Sequence, residues 1–183
     1  MLPSKKTIIF DIPGILSKIG IEEKQKTAEL GCGNFGFFVF PLAEKVGREG
    51  KVYAVDILKP TLEEINKVSK TNGLKQIETV WSNLEIFNGT KIPSTSLDRA
   101  LLINVLHESE KKVEIIRETV RLIKHGGRLL IIEWSENDAP IGPAPERRVK
   151  LQNLKDALPR LGLSLKEEFI AGPYHYGLVL NKL

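Results

Sequence analysis

Residues 27–36 of the chain read Thr27-Ala28-Glu29-Leu30-Gly31-Cys32-Gly33-Asn34-Phe35-Gly36. The first half is short and mostly apolar, which is typical of a buried strand, and Glu29 lies near its end. Gly31 and Gly33 allow a sharp turn and the close approach of another group, because neither carries a Cβ. The mainly apolar run from Phe37 to Val46 predicts a helix directly after the turn. The pattern therefore predicts a strand, a glycine turn and a helix whose free N–H groups face that turn.

A second strand is predicted at residues 51–56, where an alternating apolar run ends at Asp56. Asp56 lies twenty positions after Gly36. The carboxyl ends of adjacent parallel strands meet at one edge of a sheet, so Asp56 and the glycine turn should face the same ligand. A carboxylate there accepts hydrogen bonds from both hydroxyls of a ribose, which predicts a cofactor that contains adenosine. The simpler alternative is a plain strand–helix turn with a surface aspartate.

The composition bounds the class of protein. A chain of 183 residues, 42% hydrophobic and 27% charged, suits one globular domain. The net charge of +4 permits a nucleic-acid partner without indicating one, because the basic residues are scattered among acids. One cysteine leaves no disulfide framework, and no apolar run is long enough to span a membrane. We expect no metal site and, because the N-terminus lacks a secretory pattern, a cytoplasmic protein.

Further along the chain, apolar strands alternate with amphipathic helices. Strands are predicted at 27–31, 51–56, 76–81, 98–104, 128–134, 164–170 and 175–182, and helices at 35–46, 60–71, 109–124 and 146–161. Nearly continuous apolar strands separated by helices indicate a parallel sheet that is covered on both faces. Gly172-Pro173 is short enough to join the last two strands as an antiparallel hairpin. Residues 1–26 are predicted to form an N-terminal arm with a short helix near 12–20, and 27–183 one cofactor-binding domain.

Five stretches resemble, in order, the motifs of class I S-adenosylmethionine-dependent methyltransferases over roughly residues 25–183. They are Glu29–Gly33, Asp56, Ser82–Glu85, Leu97–Glu108 and Leu122–Leu129, and His175–Leu180 is similar to the last strand of that family. The resemblance implies a Rossmann-like, doubly wound α/β fold with a mostly parallel seven-stranded sheet and an antiparallel last strand. Within the family, the chain looks closest to the small-molecule group that includes the ubiquinone and menaquinone biosynthesis methyltransferases.

The same resemblance implies S-adenosylmethionine as cofactor and S-adenosylhomocysteine as product. The matching cofactor-binding positions are Glu29, Gly31, Cys32, Gly33, Asp56, Ile57, Asn83, Leu84 and Asn104. By this resemblance Asp56 holds the ribose, Glu29 orients the glycine turn, and Asn104 lies where the methyl group would point. Two positions depart from the family pattern: the third glycine comes one residue late, at Gly36, and Ser82-Asn83 replaces the acid expected beside the adenine.

His107 is the candidate catalytic residue. It follows the fourth strand beside Glu108, where an imidazole can take a proton from a hydroxyl, an amine or an acidic carbon. The alternative is a histidine that packs or bonds a backbone carbonyl. Methyl transfer from an activated sulfonium relies mainly on positioning and desolvation, so a dedicated base is not required.

The proline-rich loop at 135–147 is the predicted substrate lid. Trp134, Arg147 and Arg148 are candidates for contact with an acidic or aromatic acceptor, with loop packing or solvated charge as the alternative for the arginines. The fourth motif lacks the Asn/Asp-Pro-Pro-aromatic signature of amine-methylating nucleic-acid enzymes, which favours a small-molecule acceptor. Because arm and lid are short, a homodimer that covers an open site is a further hypothesis.

Three function classes follow from these patterns. The first is a methyltransferase, the second a nicotinamide-dependent oxidoreductase, and the third a methyltransferase-like protein that binds cofactor without turnover. Glu29 before the glycines, the antiparallel last pair and the absence of a Tyr-x-x-x-Lys pair favour the first. The altered glycine turn keeps the third open, and the acceptor cannot be read from the fold.

Overall fold

The computed structural model describes residues 10–137 and 139–183. The helices are α1 Ile12–Ile19, α2 Val39–Val46, α3 Lys59–Thr71, α4 Lys112–Leu122 and α5 Leu151–Ala157. The strands are β1 Lys26–Leu30, β2 Lys51–Asp56, β3 Ile77–Trp81, β4 Leu97–Ile103, β5 Ile123–Trp134, β6 Leu163–Gly172 and β7 His175–Lys182. Residues 1–9 of the predicted arm and position 138 of the predicted lid lie outside the described residues. Among the described residues, no helix combines the length and apolarity needed to cross a membrane.

A seven-stranded sheet in the order β3-β2-β1-β4-β5-β7-β6 forms the centre of the molecule. Strand β1 pairs in parallel with β2 on one side and with β4 on the other. Strand β7 runs antiparallel to both β5 and β6. The strand order therefore reverses between β1 and β4, and the carboxyl ends of these strands open a crevice there. The predicted doubly wound, mostly parallel sheet with an antiparallel last strand is confirmed.

Successive residues of the central strands face opposite layers. On β4, Ala100 and Leu102 pack into the layer that includes α4 and α5. Leu101, between them, packs into the layer that includes α1, α2 and α3. All three side chains are fully buried. Burial on both faces explains why the strands read as nearly continuous apolar runs, and it fixes the strand ends that frame the crevice.

Helix α1 packs into the core although it lies within the predicted N-terminal arm. Its N-terminus is capped by the Asp11 side chain, and Gly20 ends it in the left-handed conformation with φ of 72°. The Nε of Arg99, on β4, donates to the carbonyls of Ile19 and Gly20, both at 3.0 Å. These bonds tie the end of α1 to the sheet. The boundary between arm and domain after residue 26 stays a prediction.

A buried ion pair anchors the connection between β3 and β4. The carboxylate of Glu118, on α4, accepts the backbone N–H groups of Asn88 and Thr90 at 2.7 and 2.9 Å. Arg121 donates to the same carboxylate through Nε at 2.8 Å and Nη2 at 2.7 Å. Burial would raise the pKa of Glu118, but Arg121 and the backbone donors outweigh it and lower that pKa. The loop after β3 is thereby held against α4.

Helix ends differ from the sequence prediction where the local backbone departs from helical geometry. Helix α2 begins at Val39, later than predicted, because Phe35 in the preceding 3-10 turn has a φ of 76°. Helix α4 is shorter than the predicted 109–124, because Ser109 and Ile123 are both extended.

The predicted continuous helix at 146–161 is wrong. A 3-10 turn ends at Arg147, the backbone of Arg148 is extended, and α5 covers only Leu151–Ala157. A second 3-10 turn follows with Pro159 near its start, where the missing N–H cannot continue an α-helix. The extended backbone at Arg148 lets its guanidinium reach back to the preceding loop.

Candidate active site

The glycine turn lies at the carboxyl end of β1, inside the crevice. Gly31 has a φ of 76°, and a Cβ there would lie 2.6 Å from Cγ2 of Val105. Gly33 has a φ of 57°, but a Cβ there would meet nothing within 4 Å. Gly31 is therefore required by packing against the segment after β4, whereas Gly33 leaves open space above the turn. The turn adjoins the Asn104–His107 segment and has room for a ligand.

Asp56, the last residue of β2, is buried and faces the glycine turn. Its Oδ2 accepts the N–H of Gly33 and its Oδ1 accepts the N–H of Leu58, both at 2.9 Å. Cys32 lies beside it, with Sγ 4.0 Å from Oδ2. Burial raises the pKa of the Cys32 thiol, so this side chain is a packed, uncharged neighbour of the carboxylate.

Glu29 is a buried carboxyl group at the same strand end. Burial raises its pKa well above the ordinary value, and the backbone N–H groups of Val39 and Phe38 oppose that shift only in part. The nearby Asp56 raises the pKa further. Oε2 of Glu29 is buried and finds no hydrogen-bond partner in residues 10–137 and 139–183. A buried carboxyl group that lacks a partner beside an open turn is suited to a cationic ligand.

The predicted adenine-side positions lie after β2 and β3. Asn83 is half-buried, and its Oδ1 accepts the N–H of Glu85 at 2.9 Å. The side chain of Leu84 packs into the core. Ile57 is half-exposed, and its carbonyl accepts the indole N–H of Trp81 at 2.8 Å. Ile57 thus offers an exposed apolar surface, whereas Leu84 contributes structure to the loop.

Asn104 directly follows β4 and has a φ of 57°, a left-handed conformation that asparagine adopts more readily than most residues. Its N–H donates to the carbonyl of Ile132 at 2.8 Å. Its Oδ1 is buried and has no hydrogen-bond partner among the described residues. Asn104 is also one of the residues that line the cleft in front of His107.

His107 is buried between two carboxylates. Its Nδ1 lies 2.9 Å from Oε2 of Glu133, and its Nε2 lies 2.9 Å from Oε1 of Glu108. Glu133 is fully buried on β5, and its other oxygen accepts the N–H of Leu106 at 2.6 Å. An imidazole that donates at both nitrogens carries a proton on each. Each ring nitrogen of His107 therefore has a carboxylate partner, and neither bonds a backbone carbonyl of the described residues.

Sequence reasoning missed Glu133. The available signal was a carboxylate inside the otherwise apolar run from Leu129 to Trp134. Such a residue is almost never fully buried without a partner. Its partner could not be named from spacing, because His107 lies on a different element.

His175, on β7, packs on the ring of Trp134 with centroids 4.1 Å apart and on the ring of Phe10 at 4.8 Å. Within the part of the chain that the structure describes, neither ring nitrogen has a hydrogen-bond partner. Burial, and then the positive charge of His107, lower the pKa of His175 from 6.5 to about 4. His175 is thus an uncharged ring behind the charged His107.

A cleft of about 430 Å³ opens in front of His107. Its walls are formed by Asn104, His107, Glu108, Trp134, Gly142, Pro143 and Arg147. The Nη2 of Arg147 lies 3.2 Å from Oε2 of Glu108. The volume is within the range of small-ligand sites. A cavity of similar size lies between α5 and β6, away from the carboxyl ends of the parallel strands.

The two arginines of the predicted lid differ in role. Arg147 is exposed and points to the cleft. Arg148 is buried, and its guanidinium donates to the carbonyls of Pro143 at 3.2 Å, Ser135 at 3.0 Å and Asn137. Arg148 therefore holds the loop together instead of facing an acceptor.

The fold and the strand-end residues together define a class I methyltransferase. A family model described as Methyltransferase domain matches residues 21–165, which is more than half of the chain. The chain belongs to this methyltransferase domain family.

Two curated relatives act on small molecules by name. A ubiquinone/menaquinone biosynthesis C-methyltransferase from Francisella philomiragia is 29% identical over 163 residues, covering 88% of this chain and 61% of that protein. An aklanonic acid methyltransferase from Streptomyces sp. strain C5 is 29% identical over 105 residues, covering 57% of this chain and 46% of that protein. The chain thus spans less than two thirds of the length of either relative.

Solved structures share the fold over nearly the whole chain. A SAM-dependent methyltransferase from Aquifex aeolicus superposes with a TM-score of 0.86 at 24% identity, covering 96% of this chain and 91% of that one. A protein from Sulfolobus solfataricus assigned to the type 11 methyltransferases gives 0.77 at 28% identity, covering 95% and 93%. The O-methyltransferase NcsB1, solved with S-adenosylhomocysteine, gives 0.73 at 18% identity, covering 94% and 54%. The predicted resemblance is confirmed, and the nicotinamide alternative is set aside.

The residues at the crevice fit the cofactor of this family. S-adenosylmethionine carries an ammonium group at its amino-acid end, a sulfonium and a ribose. Glu29 supplies a buried carboxyl oxygen without a partner, and Asn104 supplies a second unpartnered oxygen. The open face above Gly33 and the carboxylate of Asp56 complete the set.

Proposed function

We propose that this protein transfers the methyl group of S-adenosylmethionine to a small-molecule acceptor. The observation that carries the proposal is the unpartnered carboxyl oxygen of Glu29, buried beside an open glycine turn that Asp56 holds from the next strand. A nearby cation favours the ionised form of this carboxyl group, so the ammonium group of the cofactor's amino-acid end fits there. The names of the two curated relatives support a small-molecule acceptor of the quinone-precursor or organic-acid kind.

Each cofactor-binding residue has a proposed role. Asp56 accepts the ribose hydroxyls at the end of β2. Glu29, with the turn formed by Gly31, Cys32 and Gly33, faces the amino-acid end. On the adenine side the proposed residues are Ile57, through its exposed side chain, and Asn83 and Leu84, which form the loop after β3; on the methyl side it is Asn104.

The cofactor supplies a methyl group that is already activated on a sulfonium, so the transfer is an in-line displacement. The chain must bind the acceptor, aim its nucleophilic atom and exclude water. Glu133 holds Nδ1 of His107, so the orientation of the imidazole ring is fixed. Its Nε2 faces the cleft, where it can donate a hydrogen bond to an ionised acceptor or, after it has given up its own proton, take one from a neutral acceptor.

Titration calorimetry tests the cofactor proposal with S-adenosylmethionine, S-adenosylhomocysteine and NAD. We expect the first two to bind and NAD not to bind. Asp56→Asn should weaken the binding of S-adenosylhomocysteine by roughly 10- to 100-fold, because it removes the charge from the group that accepts the ribose hydroxyls. Asp156→Asn, an exposed carboxylate on α5, is the matched control and should change nothing. Equal affinity in wild type and Asp56→Asn would reject the cofactor placement.

Turnover decides between an enzyme and a binding protein. Formation of S-adenosylhomocysteine on a panel of phenols, quinols and aromatic acids supports the enzyme. Donor binding with no product on the whole panel supports the cofactor-binding alternative. We also propose a cytoplasmic location, which cell fractionation tests, and a homodimer, which analytical sedimentation tests.

A further inference from the structure

The cleft contains a carboxylate of the chain itself between two cationic groups. Glu108 binds Nε2 of His107 through one oxygen, at 2.9 Å, and Nη2 of Arg147 through the other, at 3.2 Å. A carboxylate that bridges two donors in this way has the geometry of a bound acid. We propose that the acceptor carries an ionised oxygen acid, a carboxylate or an acidic phenol, that displaces Glu108 and binds between His107 and Arg147. This inference rests on the methyltransferase function proposed above.

Displacing Glu108 costs little. Its side chain is 65% exposed and that of Arg147 is 55% exposed, so water screens this ion pair. Exposed pairs of this kind contribute little to stability. Glu108 lies on a 3-10 turn, not in the core of a strand or helix. It can therefore move aside while the rest of the cleft stays in place.

His107 and the loop backbone that carries Arg147, in contrast, are held in position. Glu133 is fully buried and fixes His107 through Nδ1. Arg147 is followed directly by Arg148, which anchors that part of the loop through three carbonyls. Once Glu108 leaves, His107 and Arg147 face Glu133 alone, which leaves one positive charge uncompensated. The site is then matched to a single negative charge.

The wall beside the cations predicts the body of the acceptor. Gly142 has a φ of 99°, and a Cβ there would lie 2.7 Å from the Trp134 ring, so the loop lies flat against the indole. Pro143 extends this apolar wall. An acid with a planar apolar body fits both the wall and the cation pair.

The test compares 2-naphthoate with its neutral isostere 2-naphthamide by NMR titration of the protein loaded with S-adenosylhomocysteine. We expect wild type to prefer the naphthoate by about tenfold. Glu108→Gln should bind the naphthoate about fivefold tighter than wild type, because the internal competitor is gone, and should leave naphthamide affinity unchanged. Arg147→Met should remove the preference. Glu110→Gln, an exposed neighbour, is the matched control.

Several outcomes would overturn the proposal. One is a Glu108→Gln variant that tightens both ligands equally, which would mean only that space was opened. Another is an absence of saturable naphthoate binding to that variant below about 10 mM, far weaker than a built site allows. S-adenosylhomocysteine affinity is measured on the same sample. Loss of the acid preference with intact cofactor binding rejects this inference alone, whereas loss of cofactor binding rejects the proposed function.

Discussion

Glu133 is the residue that holds His107 in the cleft, and it is not among the residues that line that cleft. Its fully buried carboxylate accepts hydrogen bonds from the N–H of Leu106 and from Nδ1 of His107. We expect Glu133→Gln to lower kcat by roughly 10- to 100-fold, because the ring loses its orientation and its counter-charge. The KM for S-adenosylmethionine should stay within about twofold, since the glycine turn is untouched.

A spectroscopic readout separates positioning from general damage. In wild type, the Nδ1 proton of His107 should give a protected resonance in NMR, because it is buried against Glu133. That resonance should shift or vanish in Glu133→Gln. If kcat falls while the resonance is unchanged, or if S-adenosylmethionine affinity falls in parallel, Glu133 is not a positioning residue.

At the residue scale, prediction from sequence worked where backbone spacing determines position. Glu29 and Asp56 end adjacent strands, so their proximity to the glycine turn followed from the alternation of elements alone. The pairing of His107 with Glu133 could not be predicted, because it depends on which side chains of β5 face the crevice. The sequence also could not predict that Arg147 faces the cleft while Arg148 holds the loop, since the extended backbone at Arg148 decides this.

At the element scale, the anchor of the β3–β4 connection is the Glu118–Arg121 pair on α4. We expect Glu118→Gln to lower the free energy of unfolding by about 3 kcal/mol, because Arg121 would be left buried without its counter-charge. Urea denaturation at neutral pH measures this. The matched control is Glu64→Gln on α3, where an exposed pair has the same spacing, with Lys67 three residues on at 3.9 Å. That change should stay within about 0.5 kcal/mol, and equal losses would contradict the anchoring role.

The order of elements was predictable, and several of their ends were not. Apolar periodicity gave all seven strands in sequence, because a strand buried on both faces leaves a strong signal. Helix ends depend on single residues that propensity does not single out. Phe35 adopts a positive φ at a position where glycine is the ordinary choice, and this delays α2. The extended backbone at Arg148 interrupts the helix predicted at 146–161, and the guanidinium there donates hydrogen bonds to three loop carbonyls.

At the scale of the whole molecule, the strand order follows from connectivity. Right-handed crossovers between parallel strands leave few ways to arrange five βα units and a hairpin. The reversal between β1 and β4 then places the glycine turn, Asp56 and the segment after β4 at one crevice. The chemistry of the cleft wall is a property of the assembled molecule, because it combines the segment after β4, the end of β5 and the loop at 139–147.

His175 links that assembly to the pH dependence of global stability. Its pKa falls from 6.5 to about 4 on folding, because burial and the charge of His107 disfavour protonation. The folded state therefore holds fewer protons than the unfolded state between these values, and stability falls as pH drops through this window. We expect unfolding in urea to show a loss of about 2 kcal/mol from this group between pH 7 and pH 5. His175→Phe, which keeps a ring between Phe10 and Trp134, should remove that share of the loss, whereas His125→Gln, at an exposed histidine, should retain it. An identical pH dependence in wild type and His175→Phe would show that the acid sensitivity arises from other groups.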